Sequence, residues 1–439
     1  DFPSAGAFEC ADETANKIQA MTLASYRANY HGYPTDCPHR EKNGWTGDAH
    51  LAAEQAMYNW DNGPAYAKWI QDIHDEQREF GEICAIIPTS GWGYQWGNGP
   101  AWDSAFLLIP WYAHLYRGDT RILERHIDRM KRYVDYLTAR SHQGIVSFGL
   151  GDWCPADTVT PAPLTSTGYY YNDARIVSFA ARLAGLAPDA AKYGKLADNI
   201  RGAFNREFGK PDGDYANGSQ TALSCALHHG LVPEESRAKT VARLAASVEK
   251  ANGHLDCGIL GVKYLFRTLS DNGHHDLAWR AATQKDFPGF GAWLPQGATT
   301  LWEDWPGKAS RIHIMFGDIS AWFYQYLAGI QPDIGRPGFQ HAVIRPMPPA
   351  DLQWVRANTE PPYGTIRSSW KREGDGTLNL EITIPANANA TLHIPAKDPA
   401  QVTEGGKPAP ESQGLKPLGT RDGCAVFEAA AGSYRFQTR

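Results

Sequence analysis

Apolar side chains recur every three or four residues through most of the chain before Gln331, a spacing that places them on one face of a helix. The pattern predicts helices over residues 11–29, 49–60, 65–80, 103–117, 120–140, 170–185, 188–206, 219–229, 234–250, 259–269, 274–284, 297–304 and 316–328. About a dozen helices with alternating short and long connections favour an (α/α)6 barrel, a toroid in which six inner helices are ringed by six outer ones. A simple bundle is the rival, whereas a solenoid would show a repeat of fixed period, which the sequence lacks.

The pattern changes after Gln331, where short runs alternate apolar and polar residues. Five such runs are separated by turn sequences such as EGDG at 373–376, and they span 366–370, 378–384, 391–394, 425–428 and 434–437. Alternation of this kind predicts a small antiparallel β-sandwich. We therefore expect a mainly α chain with a barrel over residues 1–331 and a β-sandwich over residues 332–439, the latter with a packing role.

Composition and charge narrow the classes of partner. The 439 residues carry a net charge of -6 and no basic cluster, which argues against nucleic acid or an anionic membrane surface as a partner. No apolar run approaches the roughly 18 residues of a membrane-spanning helix. The 15 Trp and 20 Tyr are a high count, which is typical of clefts that bind carbohydrate and also of large cores. Nothing in the sequence predicts an oligomeric state.

The cysteines and the first residue bear on location. The seven cysteines are scattered along the chain, without a CxxC pair or a metal-like pairing with histidine. We therefore expect no disulfide framework. Cys37 and Cys154 would pair only if the fold brought them together. The chain begins at Asp1 with neither methionine nor signal sequence. Location cannot be read from this start, and we expect a periplasmic or secreted protein rather than a cytoplasmic one.

The stretch TDCPHREKNGWTGDAH at 35–50 holds the densest chemistry in the chain. It supplies three carboxylates, a guanidinium and an indole, from Asp36, Glu41, Asp48, Arg40 and Trp45. A proline and two glycines predict a shaped loop. Carboxylates beside a tryptophan suit a sugar, because acids protonate or bind hydroxyl groups and an indole covers the apolar face of the ring. The alternative for Glu41 alone is an acid paired with Arg40 or Lys42 at the surface.

A second candidate centre is GATTLWEDW at 297–305, where Glu303 lies between Trp302 and Trp305. An acid flanked by indoles is partly desolvated, which changes its acid–base behaviour once a sugar excludes water. The alternative is the end of an amphipathic helix with aromatic residues inward and acids outward. His313 follows ten residues later, and its alternative is a core histidine with satisfied hydrogen bonds.

Two further segments are candidate pocket walls. GLGDWCPAD at 149–157 contains Asp152 and Trp153, and SGWGYQWGNGPAWDSA at 90–105 contains Trp92, Trp96 and Trp102. Glycine lets the backbone approach a ligand closely, and tryptophan offers a flat surface. Structural packing explains either loop equally well. Other catalytic patterns are missing, since the sequence has no GxSxG, no phosphate-binding glycine loop, no HEXXH and no evident nucleophilic triad.

DCPHREKNGWTGDAH resembles the signature of glycoside hydrolase family 78, the α-L-rhamnosidases. The resemblance extends through GLGDWCP, PAWDSA, TTLWEDW and HIMFGDISAWFYQYLAGI and covers essentially the whole chain. It implies an (α/α)6 catalytic barrel followed by a C-terminal β-sandwich. It also implies exo-acting, inverting hydrolysis of terminal α-L-rhamnosyl residues, with a rhamnose-containing glycoside or polysaccharide as substrate.

The resemblance assigns roles to particular residues. Glu41 matches the family's general acid and Glu303 the general base that activates water. Rhamnose hydroxyls would be held, and its ring covered, by Asp36, Arg40, Trp45 and Asp48, with Trp102, Trp153 and His313 as other pocket residues. Asp152 joins the substrate-binding set from its place in the GLGDW loop. An inverting glycosidase needs its acid and base about 6.5–9.5 Å apart, with room for one water.

The chain departs from the family pattern in three places. Many members carry Arg-Asp-Glu where this chain has Arg40-Glu41, one residue shorter, so Glu41 must be the acid. The interval from Glu303 to His313 is also shorter than in many relatives, which predicts a trimmed loop. Most members have β-sandwich domains before the barrel, and this chain starts almost at the barrel.

Two other functions compete with hydrolysis. A polysaccharide lyase also uses an α/α toroid, and His313 with Tyr324 would then supply the base, leaving Glu41 without a role. A rhamnose-binding protein without turnover would keep the pocket and lose the chemistry. For the hydrolase we expect no metal and no organic cofactor, because two carboxylates and water suffice.

Overall fold

A computed structural model describes residues 2–89, 91, 93–94, 96–396 and 398–438. Its α-helices are α1 (Glu13–Ala28), α2 (Thr46–Asn59), α3 (Gly63–Glu76), α4 (Pro100–Asp103), α5 (Ala105–Arg117), α6 (Arg121–Arg140), α7 (Ala162–Leu183), α8 (Ala187–Phe208), α9 (Gln220–His228), α10 (Glu234–Lys250), α11 (Ile259–Asp271), α12 (His275–Ala282) and α13 (Ile319–Trp322). A 3-10 helix spans Phe290–Gln296, and α13 continues as a π-helical turn over Phe323–Leu327. Within this described part of the chain, none of the helices is both long and apolar enough to cross a bilayer.

The long helices form two concentric rings. Helices α2, α5, α7, α9, α11 and α13 contact one another in a closed ring, and α1, α3, α6, α8, α10 and α12 pack outside them. Burial follows this arrangement, because α2 is buried along its whole length whereas α6 buries one apolar stripe and exposes a charged face. The prediction of a mainly α chain with an (α/α)6 barrel is confirmed.

One predicted helix is absent, and the start of another was predicted too late in the chain. Residues 297–304 are irregular rather than helical, because Gly297 adopts a left-handed conformation with φ of 80° that ends the preceding 3-10 helix. Helix α7 begins at Ala162 rather than at residue 170. Proline there opens the helix instead of breaking it, since a proline in the first turn gives up no intrahelical hydrogen bond.

Two sheets form the β-sandwich. One has the strand order β1-β4-β5-β6-β12-β8-β9 and the other β10-β11-β7-β3-β2. Their strands are β1 (Gly6–Cys10), β2 (Ile330–Pro332), β3 (His341–Ile344), β4 (Trp354–Thr359), β5 (Ile366–Arg372), β6 (Leu378–Ile384), β7 (Asn389–Pro395), β8 (Thr403–Glu404), β9 (Lys407–Pro408), β10 (Leu415–Arg421), β11 (Cys424–Ala429) and β12 (Gly432–Thr438). The pairing is antiparallel except between β3 and β7, which are parallel.

Strand β1 was not predicted, and it comes from the other end of the chain. It pairs with β4 in a register that joins Gly6 to Thr359 and Cys10 to Val355. Its Phe8 ring stacks on Phe323 at 5.0 Å between centroids. The beginning of the chain is therefore part of the sandwich, and the division at residue 331 stays a prediction.

The sandwich covers the end of the barrel where α2 and α13 finish. The Trp370 indole donates to Leu327 O at 2.7 Å, and the Ser368 hydroxyl donates to Ala328 O at 2.6 Å. Thr359 Oγ1 donates to Tyr58 O at 3.0 Å near the end of α2. The opposite end of the barrel, where the inner helices begin, is left for the functional loops.

A buried network of ion pairs lies inside the barrel. Lys263 Nζ is 2.6 Å from Glu54 Oε2 and 2.7 Å from Asp318 Oδ1. Arg267 Nη1 is 3.2 Å from Glu54 Oε2, and its Nη2 is 2.8 Å from Asp318 Oδ2. Burial raises the pKa of Asp318. Burial acts on Glu54 in the same direction, but the charges of Arg267 and Lys263 outweigh it and hold the pKa of Glu54 below its ordinary value. These four side chains connect α2, α11 and the start of α13.

Lys263→Met should destabilise the protein strongly, because it removes one of two buried cations and leaves Arg267 alone to pair with both buried carboxylates. We expect a loss of about 3–5 kcal/mol in the free energy of unfolding, measured by urea denaturation. The matched control is Lys68→Met, which removes an exposed pair with Asp72 and should cost at most about 1 kcal/mol. Equal losses in the two variants would contradict a stabilising role for the network.

Candidate active site

The functional loops meet at the end of the barrel where the inner helices begin. The segments before α2, α5, α7 and α13 close around a cavity of about 80 Å³. The cavity is lined by Asp36, Glu41, Trp45, Asp48, Trp96, Trp102, Leu150, Trp153, Glu303, His313 and Met315. Of the ten residues predicted for the site, all but Arg40 and Asp152 line it.

The loop that carries Asp36 and Glu41 is closed on itself by hydrogen bonds. The Asp36 backbone N–H donates to Asn43 O at 3.0 Å, and the Asn43 N–H donates to Asp36 Oδ1 at 2.8 Å. The Cys37 thiol donates to Asp36 Oδ2 at 2.8 Å and accepts from the Glu41 N–H at 3.3 Å. Asp36 therefore fixes the loop, and Cys37 couples it to the backbone of Glu41.

Glu41 is held by the indole that follows it. Trp45 Nε1–H donates to Glu41 Oε2 at 2.8 Å, and the Asn43 amide donates to the same oxygen at 3.5 Å. Within the described residues Glu41 Oε1 takes part in no hydrogen bond. One carboxylate oxygen is thus anchored, and the other is available to a ligand.

Glu303 is anchored in the same way, from different elements. Its Oε2 accepts from the Ser310 backbone N–H at 2.9 Å and from Arg40 Nη1 at 3.0 Å. The predicted helix end at this position is wrong, because Glu303 lies in an irregular loop whose backbone pairs with Ser310 O at 2.8 Å. The flanking Trp302 and Trp305 are buried in the core, so the indoles support the loop instead of covering the acid.

Asp48, His313 and Asp36 form a buried charged group in the cavity wall. His313 Nε2 lies 3.0 Å from Asp48 Oδ1, and its Nδ1 lies 3.9 Å from Glu303 Oε2. Burial alone would lower the pKa of His313, but the carboxylates of Asp48, Glu303 and Asp36 together outweigh burial and raise this pKa. Burial, with the nearby Asp48 charge, raises the pKa of Asp36 to about 6. His313 therefore acts as a cavity residue with charged partners rather than as an isolated core histidine.

Trp102 packs directly on the first turn of α2. A Cβ atom at Gly47 would lie 2.5 Å from Trp102 Nε1, so only glycine at position 47 allows this approach. Trp153, by contrast, stands at the rim with 36% of its surface exposed. One indole forms the floor of the cavity, and the other stands at its mouth.

Asp152 was predicted to bind substrate, but the structure places its carboxylate away from the cavity. Its Oδ1 accepts from the backbone N–H groups of Leu260 and Gly261 at 2.8 and 3.1 Å, and its Oδ2 accepts from Gly258 N–H at 2.7 Å and from the Thr221 hydroxyl. A carboxylate at the first turn of a helix satisfies amides that lack helical partners. Asp152 therefore clamps the GLGDW loop to α11 and holds Trp153 at the rim.

Sequence reasoning left three lining residues out of the predicted site, namely Trp96, Leu150 and Met315. All three lie in segments that the sequence analysis identified as candidate parts of the site. Leu150 is close in sequence to Asp152, and Met315 is close to His313, so the sequence could have identified them. Trp92 lies outside the described residues. Arg40 does not line the cavity, and it acts on the site through its hydrogen bond to Glu303.

Among the described residues one group has the ligand types of a metal site. Asp36, Cys37 and His313 are buried, and one potential ligand atom from each lies within 4.8 Å of the others. In the structure these groups already have partners, since the Cys37 thiol donates a hydrogen bond to Asp36 and His313 pairs with Asp48. All seven cysteines are free, including Cys37 and Cys154.

The sequence of both domains matches one family. The family model for the bacterial α-L-rhamnosidase six-hairpin glycosidase domain matches residues 3–327, and the model for the bacterial α-L-rhamnosidase C-terminal domain matches residues 329–408. The chain belongs to glycoside hydrolase family 78, the α-L-rhamnosidases. The resemblance stated from the sequence motifs is thereby confirmed.

Individual family 78 relatives agree in sequence and in fold. An α-L-rhamnosidase of Streptomyces avermitilis is 33% identical over 445 residues, covering 98% of this chain and 42% of that protein. The solved structure of α-L-rhamnosidase from Dictyoglumus thermophilum superposes with a TM-score of 0.93 at 35% identity, covering 100% of this chain and 51% of that one. The Streptomyces avermitilis α-L-rhamnosidase complexed with L-rhamnose also gives 0.93, at 31% identity over 100% of this chain and 42% of that one. The chain spans about half the length of these relatives.

Asp36→Asn should stabilise the protein at neutral pH. Because the folded-state pKa of Asp36 is raised to about 6, the ionised carboxylate is disfavoured in the fold above that pH, and the penalty disappears as pH falls towards the ordinary value near 4. We expect a gain of about 2–3 kcal/mol at pH 7.5 and none at about pH 4, measured by urea denaturation at both pH values. Asp351→Asn, at an exposed position, is the control. A stability gain for Asp36→Asn that did not depend on pH would contradict a raised pKa of Asp36 in the folded state.

Proposed function

We propose that this chain is the catalytic part of an exo-acting, inverting α-L-rhamnosidase, with Glu41 as general acid and Glu303 as general base. Its substrate is a terminal α-L-rhamnosyl residue on a glycoside or polysaccharide. The observation that carries the proposal is the matched anchoring of the two glutamates. Each has Oε2 held by hydrogen bonds and Oε1 without a hydrogen bond to any described residue.

The acid step follows from the contact between Glu41 and Trp45. An indole N–H is a donor only, so the oxygen that faces it remains an acceptor, and the acidic proton belongs on Oε1. Glu41 transfers that proton to the glycosidic oxygen as the bond to the anomeric carbon breaks. The Trp45 N–H then stabilises the carboxylate that forms.

The base step follows from the two donors on Glu303. Arg40 and the Ser310 N–H both donate to Oε2, so this oxygen is an acceptor and Oε1 is the oxygen that is left to take a proton. Glu303 Oε1 accepts a proton from a water molecule, and that water attacks the anomeric carbon from the face opposite the leaving group. The product of such an attack has the inverted configuration.

The rest of the cavity suits one 6-deoxy sugar ring. Asp36 and Asp48 accept hydrogen bonds from hydroxyl groups, and Trp102 covers an apolar face. Leu150 and Met315 add apolar surface that suits a methyl group better than a hydroxymethyl group. A cavity of about 80 Å³ supports capture of a chain end rather than a chain interior.

No observation favours a lyase. Tyr324, the hydroxyl that a lyase would need as base, is buried in the core, where it stacks on Tyr58 at 4.8 Å and donates to Asn59 Oδ1 at 2.8 Å. It does not line the cavity. Sugar binding without turnover remains the alternative that the experiments below separate from hydrolysis.

Glu41→Gln and Glu303→Gln should differ in their dependence on the leaving group. We expect Glu303→Gln to lose about 10²–10⁴-fold in kcat on every rhamnoside, because water activation is always required. Glu41→Gln should lose as much on methyl α-L-rhamnoside and far less on p-nitrophenyl α-L-rhamnoside, whose leaving group departs without protonation. The control is Glu373→Gln, at a turn of the sandwich. Wild-type rates in folded Glu41→Gln and Glu303→Gln proteins would refute the roles.

The stereochemistry of the first product tests inversion directly. Proton NMR of the rhamnose released from p-nitrophenyl α-L-rhamnoside should show the β-anomer in the first minutes, before mutarotation. Early α-rhamnose would mean retention and a wrong assignment of Glu303. Binding of rhamnose by calorimetry, with no hydrolysis over a day, would support the non-catalytic alternative.

A further inference from the structure

A second cavity lies inside the barrel, and it shares no lining residue with the active site. Its volume is about 660 Å³, which is in the range of sites that hold small organic ligands. It reaches the last turns of α5, α7 and α9, the helix ends opposite those that form the active site. It extends inward to Glu54 and Arg267, two buried members of the ion network. We call it the far cavity.

One wall of the far cavity carries cations. Tyr171, Arg175, Ser178 and Arg182 line it from one face of α7, because they are spaced by three or four residues. Arg175 and Arg182 are exposed although α7 belongs to the inner ring. Arg182 Nη1 donates to Ser178 Oγ at 2.9 Å, and within the described residues Arg175 takes part in no ion pair. This face therefore offers two guanidinium groups without a carboxylate partner.

Few negative charges compensate these cations. Glu54 is already held by Lys263 Nζ at 2.6 Å and Arg267 Nη1 at 3.2 Å. The other carboxylate in the lining, Asp198 of the outer helix α8, is exposed and lies 3.9 Å from Arg201 Nη2. The charges left unpaired by these contacts are those of Arg175 and Arg182, so the far cavity has a positive balance in a chain of net charge -6.

The two histidines of the far cavity are neutral. Burial lowers the pKa of His229 to about 3, and the charges of Arg175 and Lys263 act in the same direction. Burial also holds the pKa of His228 below its ordinary value. The imidazoles therefore add no charge at neutral pH, and the positive balance comes from guanidinium groups, which stay charged at any working pH.

The wall opposite the cations is apolar. Leu108, Trp111 and Leu115 line the far cavity from one face of α5. The Trp111 ring lies 5.0 Å from that of Phe179 at an interplanar angle of 88°. Ile334, from the connection between β2 and β3, also lines the cavity and exposes 58% of its surface. A ligand that fills this space needs an apolar body, because a small inorganic anion would leave the apolar wall in contact with water.

We propose that the far cavity binds an organic anion, in which a carboxylate or phosphate group is carried on an apolar ring. The planar guanidinium fork suits both oxyanions, so the charged group pairs with Arg175 and Arg182. The ring lies against Trp111 and Leu115. The site does not involve Glu41 or Glu303, and it stands or falls independently of the proposed function.

Calorimetry with four probes tests the class of ligand. The probes are naphthalene-2-carboxylate, 2-naphthyl phosphate, the neutral naphthalene-2-carboxamide and inorganic phosphate. One of the two organic anions should bind at least about tenfold more tightly than both the carboxamide and inorganic phosphate. The tighter of the two identifies the charged group. Added salt should weaken the binding of the anion and leave that of the carboxamide unchanged.

Variants of Arg175 place the binding in the far cavity. Arg175→Gln should raise the Kd of the organic anion about tenfold and leave that of the carboxamide nearly unchanged. Arg175→Lys, which keeps the charge without the fork, should give an intermediate Kd. The matched control is Arg206→Gln, an exposed arginine of α8 outside the cavity, which should change nothing. All three positions are exposed or replaced conservatively, so the urea midpoints should equal that of the wild type.

Four results would overturn the proposal. Equal affinities for the carboxylate and the carboxamide would mean an apolar cavity without charge selection. Binding of inorganic phosphate as tight as that of the organic anions would mean a site for a bare ion. An organic anion whose Kd is the same in wild type and Arg175→Gln would be bound elsewhere, including at the active site. No binding of either organic anion would mean that the cavity holds water only.

Discussion

The ion pairs inside the barrel set the position of three helices whose ends form the cavity. Glu54 lies on α2, Lys263 and Arg267 lie on α11, and Asp318 opens α13. The segment before α2 carries the acid and its indole, α11 receives the Asp152 clamp, and the segment before α13 carries His313. Buried charges paired at 2.6 to 3.2 Å tolerate little displacement of one helix along another, since separating them would leave an unpaired charge in the core. The positions of the loops around the cavity therefore depend on the buried ion pairs inside the barrel.

Carboxylates in these loops divide into two kinds that look alike in the sequence. Asp152 and Asp36 both stand in short glycine-containing or proline-containing turns next to aromatic residues. Both oxygens of Asp152 accept hydrogen bonds, from backbone amides at the start of α11 and from the Thr221 hydroxyl on α9. Asp36 accepts from one backbone amide on Oδ1 and from the Cys37 thiol on Oδ2, both within its own loop, and it remains in the cavity wall, where burial raises its pKa to about 6. What separates the two is the supply of backbone donors around each, which depends on distant segments.

This difference explains how far the sequence could predict the structure. Most of the helices were predictable because each has its own apolar period, whereas the alternating runs predicted only five of the twelve described strands, β5, β6, β7, β11 and β12. Asp36, Glu41, Trp45 and Asp48 were predictable because a single loop contains them. The irregular course of residues 297–304 was missed, since the left-handed turn at Gly297 and the pairing of Glu303 with Ser310 are invisible in a pattern of apolar residues. Strand β1 was missed because five residues carry no partner information, and its partner β4 lies at the far end of the chain.

Strand β1 also has a consequence for the order in which the protein can assemble. It is synthesised before the barrel helices, and its partner β4 emerges only after the whole barrel has been made. Until then β1 is an unpaired edge that can associate with other nascent chains. The pairing of Gly6 with Thr359 then joins segments that lie on either side of the barrel in the sequence, a slow kind of contact to form. The sandwich is thus completed late in biosynthesis. Chains truncated before β4 keep the unpaired edge of β1 exposed.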